Sequence, residues 1–143
     1  MQQFSKVLSE LSNWFQTMKW YPFVRAIELK LLFGALGIKL LRELLYNFLP
    51  VSSYRTLNTI FYTIPIASLV HVVFFLTVWT TLASNNVKYT PYALWAYAFI
   101  MLFPFTGLSL SGMIMPAVYV FLGYALFKYT TSSYALKLEK VGE

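Results

Sequence analysis

Tyr89 to Phe127 reads YTPYALWAYAFIMLFPFTGLSLSGMIMPAVYVFLGYALF, 39 consecutive residues without one charged side chain. Residues 56–87 form a second charge-free run of 32. Soluble domains do not build such runs, because charged side chains mark the water-facing side of their helices and strands. As helix, the longer run would measure roughly 58 Å at ~1.5 Å per residue. That is about twice the ~30 Å hydrocarbon layer of a bilayer, so it reads as two short spans joined by a turn. The expected class is an all-α, polytopic helical membrane protein.

Composition agrees. Of 143 residues, 59% are hydrophobic and only 11% charged, which suits one small bundle in lipid and leaves no room for a second folded domain in water. A transmembrane barrel would need strands alternating apolar and polar residues, and Val70 to Leu76 reads VHVVFFL without alternation.

Most catalytic chemistry lacks its side chains. Cysteine and aspartate are absent, the acids are Glu10, Glu28, Glu43, Glu139 and Glu143, and His71 is the single histidine. No combination has metal-ligand spacing, so no metal site is expected, and no cofactor. Ser109 and Ser111 flank glycines but lack the strand-to-helix setting of a nucleophile elbow. The chain reads as a non-enzyme. The net charge of +6 is scattered around apolar runs rather than clustered. Attraction to anionic headgroups accounts for it better than nucleic acid does, and no nucleic-acid partner is expected. The first twenty residues lack the continuous apolar stretch of a cleavable signal.

Along the chain, residues 1–21 form an amphipathic helix, with Phe4, Val7, Leu8, Leu11, Trp14 and Phe15 on one side. It would lie in the membrane plane or cover the mouth of a partner. Pro22 breaks the chain before the next element. The bundle occupies 22–130, with spans near 23–49, 57–83, 91–105 and 112–130, and a short polar tail at 131–143. Pro65 should bend the second span, Pro91 suits the first turn of the third, and Ser111 suits the N-cap of the last. The segment 91–130 would cross twice as a tight hairpin or be re-entrant.

Residues 23–49 permit two placements. Arg25, Glu28, Lys39, Arg42, Glu43 and Tyr46 share one side of the helix. That stripe would lie flat on the bilayer, or the helix would span with the stripe turned toward protein or trapped water. Arg25 with Glu28, and Lys39 with Glu43, have the spacing to neutralise each other. Four crossings would put eight of the eleven cations on the side of both termini and leave Lys39, Arg42 and Arg55 opposite. The positive-inside rule then makes the termini cytoplasmic, in a plasma membrane of bacterial type.

His71 falls near the midpoint of 57–83, where an ionisable group is costly. It would hold two helices in register as a neutral ring bonded to Ser68 or the Ala67 carbonyl. Proton or ion handling, or a cofactor carried by another subunit, are the functional readings; Met101, Met113 and Met115 are the thioethers available to a haem. Small residues that allow close helix approach occur at Gly34 and Gly37, at Ala93, Ala96 and Ala98, and at Gly112, Ala117 and Gly123. The expected function is that of a non-catalytic small subunit that docks within a larger membrane complex and stabilises it. Its partners would be the lipid bilayer and other membrane subunits, or copies of itself. The alternatives are a homo-oligomeric ion or proton channel or small transporter, with His71, Lys39 and Arg42 lining a polar path, and a small immunity or regulatory membrane protein.

Overall fold

Proline and serine punctuate this chain, and the helices start where those residues allow. The computed structural model describes residues 2–50, 55–56, 58–59, 63–84, 86–105 and 109–139, all helix, turn or loop with no strand among them. Its α-helices are α1 (Gln2–Gln16), α2 (Tyr21–Phe48), α3 (Ile66–Ala83), α4 (Thr90–Leu102) and α5 (Leu110–Glu139). A short 3-10 turn, Val87–Tyr89, leads into α4.

Several boundaries differ from expectation. Pro22 does not separate elements; it sits in the first turn of α2, where its missing N–H has no carbonyl to meet. Pro65 does more than bend a helix. Thr63 is helical, Ile64 and Pro65 are not, and unbroken helix begins at Ile66. His71 is therefore the sixth residue of α3 rather than the midpoint of a longer span. At the last helix the cap is Ser109, not Ser111: the Gly112 N–H donates to Ser109 Oγ at 3.1 Å. A serine hydroxyl reaches the N–H three positions on, so the helix starts at Leu110. Residues 131–139, expected as polar tail, continue α5 to Glu139.

Neighbouring helices alternate in direction. Glu28, early in α2, meets Ser84 just past the end of α3. Thr90 at the start of α4 meets Thr81 near the end of α3. Tyr92 packs on Phe127, late in α5. The core lies among α2, α3 and α4, where Leu32, Leu36, Phe74, Leu94, Tyr97 and Ile100 interlock. Helix α5 packs chiefly along α4. Gly123 lets the two approach, and the Trp95 indole N–H donates to the Val120 carbonyl at 3.2 Å. Helix α1 rests against α3 and α2, with the Phe15 ring edge-on to Trp20 at 5.7 Å.

Beside the apolar core, several polar side chains are buried and many large apolar ones are exposed. Glu28, Thr77, Thr81, Ser84, Thr90 and Thr130 are buried, while Leu76, Trp79, Ile114, Phe121 and many other large apolar side chains are exposed. Among the described residues, two helices are long and apolar enough to cross a membrane: Ile66–Ala83, with mean hydropathy 1.9, and Leu110–Ser132, with 1.8. Only 28% and 17% of these stretches are buried, unlike a soluble core helix, which is apolar because it is enclosed.

Candidate functional site

The stripe on α2 turns inward beyond Arg25, with Lys39, Arg42, Glu43 and Tyr46 half-buried. Glu28 is 0% exposed and takes its partners from residues more than fifty positions away. The Ser84 hydroxyl donates to Glu28 Oε1 at 2.8 Å, and the Asn86 side-chain amide donates to the same oxygen. Ser84 Oγ in turn accepts the Asn86 backbone N–H at 3.1 Å. Beside them the Thr90 hydroxyl donates to Thr81 Oγ1, itself bonded to the Thr77 and Val78 carbonyls at 2.9 Å. Arg25, the neighbour expected to neutralise Glu28, is exposed, because residues three apart on a helix still differ by about 60° in direction. Glu28 Oε2 is buried and has no hydrogen-bond partner. The cluster thus ends in one open acceptor.

Further along α2 the stripe forms a wall of a cavity of about 360 Å³ between α2, α3 and α4. Lys39 and Arg42 of α2, Ser68 and His71 of α3, and Tyr97 of α4 supply its polar lining. The His71 ring does not use Ser68 or the Ala67 carbonyl: Nδ1 lies 2.8 Å from the Tyr97 hydroxyl. In the tautomer whose Nδ1 accepts from the hydroxyl, Nε2 carries the ring proton; in the other, Nδ1–H donates to the hydroxyl oxygen. His71 is exposed at this cavity rather than sealed in the core.

Tyr97 organises the site. Its ring stacks on Phe74 at 4.4 Å and 12°, and Lys39 Nζ lies 4.7 Å from its centroid, a cation–π contact. Lys39 is thereby engaged by an aromatic face, and Glu43, its expected partner, pairs with Arg42 instead at 3.5 Å. Arg42 also lies over Tyr46 at 5.1 Å, and the Tyr46 hydroxyl donates to Asn58 at 3.3 Å, tying the end of α2 to the segment before α3. The Arg42 Nε is buried without a hydrogen-bond partner.

The two polar clusters are separate. Glu28 and Lys39 stand about 16 Å apart along α2, and Leu32, Ala35, Leu36, Phe74 and Val78 fill the level between them. No methionine lines the cavity around His71; Met113 lines an apolar groove between α4 and α5. Among the small residues, Ala93, Ala98 and Gly123 pack within the chain. Gly34 and Gly37 do not: a methyl group added at either would meet nothing within 4 Å.

Sequence reading missed Tyr97, although a tyrosine inside a charge-free helix needs a partner for its hydroxyl. It also did not single out Ser84 and Asn86, although serine and asparagine are natural donors for a buried acid. Neither a protein family, nor a curated protein, nor a solved structure matches this chain.

Proposed function

We propose that this chain is a non-catalytic integral membrane protein, a small subunit that docks within a larger membrane assembly and stabilises it. One observation carries the reading: large apolar side chains such as Leu76, Trp79, Ile114 and Phe121 cover much of the outside, while Glu28 and several hydroxyl side chains are buried beside the apolar core. In water that arrangement would leave an apolar surface far larger than a soluble monomer tolerates. In lipid it is the low-energy arrangement, since buried polar groups pair with one another and tails meet tails.

The alternating helix directions support four crossings, with α2 spanning rather than lying flat. The Glu28 end of the bundle then carries most of the cations and faces the cytoplasm of a bacterial-type plasma membrane. Docking is supported by what stays uncovered. Gly34 and Gly37 open on an outer side of α2, and α5 is covered chiefly by α4. A channel would need its path between copies, since an apolar level separates the polar clusters within one chain.

The test is Gly34→Leu with Gly37→Leu, which have room in the isolated chain. The tagged wild type in mild detergent should copurify with other membrane proteins in fixed ratio. The variant should melt like wild type yet lose them. A wild type that arrives alone, or only with copies of itself, removes the subunit reading.

A further inference from the structure

The cavity between α2, α3 and α4 combines features that a packed structural void does not need. Two cations, Lys39 and Arg42, come from one side of α2, and one carboxylate, Glu43, approaches Arg42 at 3.5 Å. The local balance is one surplus positive charge, which attracts an anion. Arg42 Nε is a buried donor with no acceptor, and a donor left so is unfavourable until an acceptor reaches it. His71, whose Nδ1 lies 2.8 Å from the Tyr97 hydroxyl, adds a further polar group to the lining.

The rest of the lining is apolar, including Ile38, Ile66, Val70 and Val72. Ile38 and Val72 are exposed, 49% and 53%, so the cavity opens sideways onto the apolar exterior.

We propose that this cavity binds a phosphate oxyanion, with the phosphate on Arg42 and Lys39, and that its source is the headgroup of an anionic phospholipid whose chains lie along Ile38 and Val72. The lipid source rests on the membrane reading above; the oxyanion chemistry does not.

The experiment uses the full chain. Native mass spectrometry from nanodiscs of mixed phosphatidylglycerol and phosphatidylcholine should show phosphatidylglycerol retained in preference. Lys39→Gln with Arg42→Gln should cut that retention at least about tenfold, since two charge-assisted contacts are lost. Lys30→Gln, exposed elsewhere on α2, should leave it unchanged. Glu43→Gln removes the competing carboxylate and should raise retention about threefold, which keeps the test readable if the double variant folds poorly. In a second arm, inorganic phosphate is added to the chain in neutral detergent at constant ionic strength. A phosphate-dependent rise in melting temperature that the double variant lacks, without lipid retention, supports the oxyanion site with a free anion as its source. Equal retention of both lipids, a flat response to Glu43→Gln and no phosphate effect would together overturn the proposal. A chain that dissolves without detergent would end the membrane reading, while the phosphate arm still reports on the cavity.

Discussion

Glu28 sits at the boundary between a structural and a chemical role. One carboxylate oxygen holds two donors from beyond the end of α3, and the other has no partner. Replacing Glu28 with Ala strands the Asn86 amide and leaves the Ser84 hydroxyl only the Thr81 carbonyl at 3.2 Å, at a cost of about 1–3 kcal/mol. Glu28→Gln keeps an acceptor oxygen of the same reach and removes the buried charge, so it should cost less. Thermal melts in detergent should rank wild type and Glu28→Gln above Glu28→Ala. A Glu28→Ala protein as stable as wild type would mean the cluster does not tie α2 to α3.

Helix contacts separate two kinds of glycine. At Gly123 an added methyl would come within 2.6 Å of Trp95 Cδ1 and 3.2 Å of the Pro91 carbonyl, so α4 and α5 must part or Trp95 must move. Gly123→Leu should therefore destabilise by about 1–3 kcal/mol, as overpacking does. Trp95→Ala should recover part of that loss. The check is a double-mutant cycle on melting, and strictly additive effects would show that α4 and α5 do not meet there. Helix α4 is the shortest of α1 to α5, and its 13 residues rise about 20 Å. Its length is set by proline at both ends, Pro91 inside the first turn and Pro104 after the last.

Across the whole molecule, alternating directions put Lys88 and Leu110 at opposite ends of the bundle. The chain has no cysteine, so single substitutions at these two exposed positions give clean labelling sites. Lys88→Cys should react with a membrane-impermeant maleimide only from the cytoplasmic side, and Leu110→Cys only from the other. Reaction of both from one side would refute four crossings. Some of this plan is legible without coordinates: the charge-free runs specify helices, and Pro91 marks where one begins. The stripe on α2 is legible as a stripe, but its direction is not, because a helix of given periodicity presents the same pattern to water, lipid or another helix.

Local chemistry, then, was enough for the helical class, for the apolar character of α3 and α5, and for the choice of Lys39, Arg42 and His71 as residues to watch, since each follows from neighbours within a few turns. Folding in three dimensions decided the rest. It paired Glu28 with Ser84 and Asn86, gave His71 a partner in Tyr97, moved Glu43 from Lys39 to Arg42, and left Gly34 and Gly37 open. The physical reason is that a hydrogen bond or close packing contact depends on where two helices cross, and a crossing is a property of both surfaces at once.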